Sequence, residues 1–181
     1  MTSVVDYCHI KKAYETCEII FEKRKYNIVA KDDERILAIK EDGKRICAFI
    51  NKSNTKFNVN RIQECLSMMK EMNTWHGLVV YSDTATSMAK NVIEKSEETE
   101  KIIIELFHIK ELQYDLTEHY LVPLHILKYK KDSEEAKEFK KNKYPIISIK
   151  DPVTKFYNWS LGDIIEVTRK DNVIMYRIVG K

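Results

Sequence analysis

Four glycines and three prolines are scattered along this chain of 181 residues, and no two glycines are close together. A phosphate-cradling loop needs several glycines within one turn so that backbone amides can close on an anion, and that frame is absent. No serine sits in a G-x-S-x-G elbow, which removes the commonest local setting for a nucleophilic serine. The cysteines Cys8, Cys17, Cys47 and Cys65 contain no C-x-x-C pair and leave the last 116 residues without a thiol. This spacing argues against a zinc module and a secreted disulfide scaffold, and predicts buried thiols in a reducing compartment. No apolar run approaches the ~18 residues of a membrane span, and Asp6 and His9 interrupt any apolar signal core. A soluble intracellular protein without membrane contact is the expectation.

What is present suits a folded core. Hydrophobic residues make up 44% and aromatics 10% of the chain, enough for one generous domain or two small ones. The charge balance of 31 Lys+Arg against 28 Asp+Glu is too mild to imply a polyanionic partner by itself. Its distribution is uneven, since residues 117–181 hold 13 basic and 9 acidic residues, whereas residues 1–116 hold 18 and 19.

Apolar residues at Tyr7, Ile10, Tyr14, Cys17 and Phe21 recur at helical spacing and predict a helix from Val5 to about Tyr26. Asp42-Gly43 between two β-type runs predicts a hairpin with strands at Arg35–Lys40 and Arg45–Asn51. A helix over Asn60–Met72, a strand at GLVVYS, a helix over Thr86–Lys95 and a strand at KIIIELF follow. That order predicts a sheet with helices packed against it. Beyond Thr117 the segment LVPLHILKYKK reads as extended, and Asp132 with Glu135 reads as a capping box for a helix ending near Asn142. IISIK reads as a strand, and Asp151-Pro152 as the cap and first turn of a helix over Val153–Asn158. The last stretch reads as a hairpin turning at Lys170–Asn172, with Ile174, Tyr176 and Ile178 on one face.

The segment TEHYLVPLH, Thr117–His125, carries ligand-type residues at Glu118, His119 and His125. Spacings of one and six residues are no helical ligand pair, no cysteine is near, and Pro123 breaks any helix between them, so backbone hydrogen bonding between layers is the favoured reading. A metal-dependent nuclease needs acids at strand ends with a supporting lysine. Asp32, Asp33 and Glu34 precede a strand, but ICAFIN lacks Glu-x-Lys, so that constellation is incomplete. Seven lysines and four acids between Lys128 and Lys143 read first as a solvated helical face, and second as a surface for phosphates or an acidic protein. Ser82–Lys90 reads as a capped helix start.

Three blocks, TEHYLVPLH, KYPIISIKDPVTKFYNWSLGDIIEVTRK and MYRIV, resemble in order the C-terminal signature of the fifth common subunit of eukaryotic RNA polymerases and its archaeal counterpart. The likeness rests on Thr117, Glu118, His119, Leu121, Val122, Pro123 and His125, then Pro145, Ile147, Asp151, Pro152 and Val153, then Gly162, Arg169, Tyr176, Arg177 and Val179. Upstream, GLVVYSDTATSMAKNVIEK resembles the family's central strand and T-P-S-A-K segment, with Thr86, Ala89 and Lys90 on the motif and Ser87 where the family has proline. Asn158 stands for a family glycine, and the final hairpin is about four residues short, so the sequence looks like a divergent member from a eukaryote or a virus of eukaryotes.

The resemblance implies an α/β (α+β) protein. Residues 1–116 would form an N-terminal jaw domain of nuclease-like fold without an active site, and residues 117–181 a small mixed α/β assembly module. It implies a non-catalytic subunit without cofactor, metal or small-molecule substrate, working in the nucleus or, if viral, at a cytoplasmic replication site or in the virion. Its partners would be the largest subunit, other polymerase subunits and downstream double-stranded DNA. Thr86, Ser87 and Lys90 would lie near that DNA. Glu118, His119, Pro123, His125, Asp151, Pro152, Gly162, Arg169, Tyr176 and Arg177 would form the largest-subunit interface or the junction of the two domains. A stand-alone nucleic-acid-binding or nuclease-like protein is the alternative.

Overall fold

Small and branched apolar residues at Ala13, Cys17, Ile20 and Phe21 give the first helix a stripe narrow enough to lie close on a sheet, and all four are fully buried. The computed structural model describes residues 4–52, 56–140 and 144–181. Helix α1 spans Val4–Lys23, and its buried stripe is rotated from the one predicted, because Tyr7 is exposed and Thr16 is buried in its place. Cys8 is exposed as well, unlike the other three cysteines.

The chain divides into two compact units, Met1–Tyr114 and Asp115–Lys181. The first holds a five-stranded sheet in the order β1-β2-β3-β4-β5. Its strands are β1 (Asn27–Lys31), β2 (Arg35–Ile39), β3 (Arg45–Ile50), β4 (His76–Tyr81) and β5 (Ile103–His108). β1, β2 and β3 run antiparallel, while β3, β4 and β5 are parallel neighbours. The Asp42-Gly43 turn forms as predicted, with Gly43 at φ 82°. β1 was not predicted; it is an exposed edge strand with a bulge between Ile28 and Ala30, so it lacks the alternation that marks half-buried strands. Helices α2 (Val59–Glu71) and α3 (Ser87–Glu100) contribute Ile62, Cys65, Met69, Ala89 and Ile93 to a core with Cys47, Phe49, Val79 and Ile104. α3 runs one turn past the predicted Lys95 and ends where Lys101 takes the left-handed conformation, φ 59°.

On the α1 side, the register puts His76 and Glu105 on the same face as buried Leu78 and Val80. Arg24, just after α1, donates Nη1 to Glu105 Oε1 at 2.6 Å and Nη2 to Oε2 at 2.9 Å, and His76 Nε2 lies 2.6 Å from Oε1. Burial alone would raise the Glu105 pKa, but the Arg24 charge and the hydrogen bonds from His76 and Arg24 hold it down to about 2. The group fastens the end of α1 to the centre of the sheet.

The second unit is built on a four-stranded sheet in the order β6-β8-β9-β7, with β6 at Leu124–Tyr129, β7 at Ile146–Ser148, β8 at Ile164–Thr168 and β9 at Ile174–Gly180. β7 runs parallel to β9 and the other pairs are antiparallel. Helix α4 spans Glu134–Lys140; the Ser133 hydroxyl accepts from Ala136 N at 3.1 Å, so Ser133 caps the helix one residue later than the predicted Asp132. Its predicted end at Asn142 lies outside the described residues. Helix α5, Pro152–Tyr157, is capped by Asp151, whose carboxylate accepts from Val153 N at 2.9 Å, and Asn158, which stands where the family has glycine, closes it in the left-handed conformation at φ 53°.

Asp163, with 0% exposure, ties this unit together. Its carboxylate accepts from the backbone amides of Lys131 and Ser160, both at 2.9 Å, and from Lys130 Nζ at 3.2 Å. Its own carbonyl takes Val179 N at 2.9 Å. One side chain thus joins the exit of β6, the loop after α5 and the start of β8. Gly162 beside it sits at φ 89°, and a Cβ there would come within 3.0 Å of Lys140 Nζ.

Truncating either buried carboxylate tests its role. Glu105→Ala removes the carboxylate that pairs with buried Arg24 and should cost about 3–5 kcal/mol in urea unfolding at pH 7. Because the folded Glu105 pKa lies below the unfolded value of roughly 4.3, its contribution is complete above that value and is lost as pH falls through about 2. Glu105→Ala should therefore flatten the loss of stability between pH 5 and pH 2, both bounds being approximate; an unchanged acid slope would contradict this account. Asp163→Ala leaves two amides without acceptors at roughly 1–3 kcal/mol each. Hydrogen exchange should accelerate in β6, β8 and β9 while β3, β4 and β5 stay protected.

Candidate interaction surfaces

The TEHYLVPLH segment folds as a chain of local caps. Leu116–Glu118 forms one 3-10 turn, capped by Asp115, which accepts from Thr117 N at 2.8 Å and Thr117 Oγ1 at 2.7 Å. His119 Nδ1 accepts from Leu121 N at 3.3 Å, and its ring lies against that of Tyr120 at 4.9 Å. His125 Nδ1 donates to Pro123 O at 2.7 Å, and burial, opposed in part by this bond, lowers its pKa. Both histidines thus use a ring nitrogen on the backbone. Glu118 is exposed and Pro123 half-buried. Among the described residues no group of three or more His, Cys, Asp and Glu is arranged to hold a metal ion.

The remaining residues of the C-terminal signature have identifiable work in this unit. Asp151 and Pro152 start α5, and Gly162 makes the turn into β8. Arg177 donates Nη1 to Ile146 O at 3.3 Å, bridging β9 to β7. Arg169 lies exposed in the final turn, where Asn172 takes φ 60°. Tyr176 joins a ring cluster with Phe139 at 5.2 Å and Tyr144 at 6.2 Å, and Phe139 also meets Tyr129 at 5.3 Å. Three lysines of this region are paired within the unit: Lys128 with Glu166 at 2.8 Å, Lys130 with Asp163, and Lys137 with Glu134 at 2.6 Å.

In the first unit, Thr86 caps α3 by accepting from Ala89 N at 3.2 Å, and its own amide donates to Phe57 O at 3.0 Å. Ser87 and Lys90 are exposed on the first turn of that helix. The acids of the nuclease alternative lie in the β1–β2 turn. Asp32 Oδ1 accepts from Glu34 N and Arg35 N at 2.9 and 2.8 Å, and Oδ2 pairs with Arg35 Nη2 at 2.6 Å. The Asp32 carboxyl is held below its ordinary pKa, first by the Glu34 amide and then by Arg35. These residues border a cleft of about 970 Å³ whose other lining includes Phe49, Lys52, Phe57, Arg61 and Cys65. Burial pushes the thiols of Cys17, Cys47 and Cys65 up to about 12, which keeps them protonated and poor nucleophiles.

Sequence reasoning missed two features. The Arg24–Glu105–His76 group joins residues up to 81 positions apart, and no local pattern marks such a pair. The partly uncovered face of the second sheet was also missed, although the alternation placing Ile174, Tyr176 and Ile178 together pointed to it.

Residues 114–179 match the RNA polymerase Rpb5, C-terminal domain, family. A putative DNA-directed RNA polymerase subunit 454R of Invertebrate iridescent virus 6 is 30% identical, with 93% of this chain and 98% of that protein aligned. Subunit rpabc1 of DNA-directed RNA polymerases I, II, and III from Dictyostelium discoideum is 26% identical, with 94% of this chain and 88% of that protein aligned. Among solved structures, the apo form of EndoMS aligns with 53% of this chain and 46% of its own at TM-score 0.36 and 16% identity, too distant to bear on function. With 93% of the chain in the viral alignment at 30% identity and residues 114–179 matching the family's C-terminal domain, this chain belongs to the RNA polymerase Rpb5 family as a divergent member.

Proposed function

We propose that this chain is a non-catalytic subunit of a multisubunit DNA-directed RNA polymerase. What carries the reading is that its likeness to polymerase subunits extends through more than nine-tenths of the chain in both the viral and the amoebal relative. The C-terminal unit, with the boundary read at residues 116 and 117, docks on the largest subunit and helps assembly. The N-terminal unit acts as a jaw beside the incoming duplex. In a cellular polymerase the site of work is the nucleus; in a viral one it is the cytoplasmic replication site or the virion. The role requires no cofactor, membrane or small-molecule substrate.

Two physical features agree with this role. A second unit of 67 residues, Asp115–Lys181, is of a size that gains stability from association, because a partner adds burial that a small core cannot supply. At the other end, Lys90 stands exposed on the first turn of α3, where a cation and the positive end of the helix dipole suit a phosphate. Thr86 and Ser87 flank it. Asp32, by contrast, spends both carboxylate oxygens on its own turn and on Arg35, which leaves it poorly suited to hold a catalytic cation.

Tagged full-length protein, recovered from its native source at moderate salt, should bring down two very large polymerase subunits, identifiable by mass. Recovery of the chain alone would refute the subunit reading. A narrower expectation concerns the jaw. Lys90→Ala should weaken retention of the assembled polymerase on a downstream duplex chiefly at low salt, reducing the salt-dependence slope by about one charge; an unaltered slope removes Lys90 from the DNA-facing surface.

A further inference from the structure

The five-stranded sheet of the first unit ends on β1, which pairs with β2 on one side and with no strand on the other among the described residues. A strand in that position keeps an edge of backbone amides and carbonyls that can template another chain. All five residues of β1 are exposed, with Ile28 at 39% and Val29 at 54%. Lys31 and the bulge between Ile28 and Ala30 discourage indiscriminate stacking on this edge. They do not cover it.

Beside the strand runs a groove of about 610 Å³ whose other wall is α1. Glu15, Glu18, Ile19 and Glu22 recur at three- and four-residue spacing, so they share one stripe of the helix and line that wall. Ile19 and Ile28 give the groove apolar contact, and three glutamates against Lys31 make it acidic. Lys31 Nζ lies 2.7 Å from Glu18, which ties strand to helix. Glu15 has Lys11 at 3.9 Å with more than half of each side chain exposed, a solvated pair that leaves the carboxylate available. Glu22 is exposed as well, and the turn that ends β1 adds exposed Asp33.

Geometry and charge together select the occupant. Glu15 and Glu22 stand about 10 Å apart along the helix axis. Side chains at alternate positions of a strand share one face at a spacing of about 7 Å, so two or three of them pass along the stripe. We infer that the open edge of β1 takes up a short extended segment of another protein as a sixth strand, with lysine or arginine at alternate positions facing Glu15, Glu18 and Glu22 of α1. Backbone pairing supplies the attachment, and the stripe selects the sequence. A second copy would offer NIVAK, whose one cation, Lys31, is already paired with Glu18. A nucleic acid would bring phosphates against the glutamates. The contact lies wholly within the first unit and does not depend on the subunit reading above.

The test uses the isotope-labelled full-length chain, with an acetylated and amidated octapeptide of alternating lysine and valine as the probe. Amide resonances of Asn27–Lys31 and of α1 around Glu18 should shift on titration, and the β1 amides should gain protection from hydrogen exchange. Glu15→Lys with Glu22→Lys, both exposed, should weaken binding by about tenfold and reduce its sensitivity to salt. The same peptide N-methylated at every residue keeps its charge but loses its backbone donors, and should bind at least about tenfold more weakly. Equal binding by the N-methylated peptide, unchanged affinity of the folded charge variant, or shifts confined to residues away from β1 would each overturn the inference. Shifts of the β1 resonances on dilution without peptide make the occupant a second copy, and shifts on adding a DNA duplex make it nucleic acid; either result overturns it as well. Should the charge variant fail to fold, the N-methylated peptide decides the question by itself.

Discussion

A β-sheet with apolar side chains on both faces needs two covers, and the two units of this chain meet that constraint differently. In the first, α1 closes one face of the five-stranded sheet and α2 with α3 the other, leaving Cys47, Leu78, Val79 and Val80 buried on opposite sides. The second covers its inner face with α5 and the segment around Leu116 and Val122, then stretches one seven-residue helix over part of the outer face. Leu124, Ile126 and Ile174 remain uncovered on that face, set apart by Thr168 and Glu166 of β8. The incomplete cover suits a small unit that gains burial from a partner.

Each unit depends on one buried carboxylate, and the two solve the cost of burial in different ways. Glu105 is matched by a bidentate guanidinium and a histidine, which joins the helix layer to the strand layer. Asp163 is matched chiefly by backbone amides, which joins loops to strands. A carboxylate saturated by fixed amides needs no second buried charge, and that suits a small unit with little interior to shield an ion pair. The exposed pair of Lys137 with Glu134 on α4 contributes far less to stability, being solvated and three residues apart in sequence.

Much of this was legible in the sequence wherever a local rule decides the structure. Asp42-Gly43 specifies a hairpin and Asp151-Pro152 a helix start, and both are realised. Likeness to a known signature identified the family, which no pattern of charge or spacing alone would have done. Features set by distant partners stayed hidden. β1 is an edge strand whose five residues are all exposed, so it carries no alternation to read. The acids at Asp32–Glu34 looked like a strand-end cluster, but Asp32 is held by its own turn and by Arg35. Asp151, Gly162 and Arg177 of the signature also brace the fold of the second unit, work that the motif alone did not disclose.

Hydroxyl-radical footprinting of the intact polymerase against the free chain tests the central claim most directly, because it reads side-chain burial without altering a residue. Leu124, Ile126 and Ile174 should be oxidised in the free chain and protected in the assembled enzyme, while exposed Tyr7 on α1 serves as a reference outside that face. Equal oxidation of the three aliphatic residues in both states would contradict docking of the second unit in the polymerase.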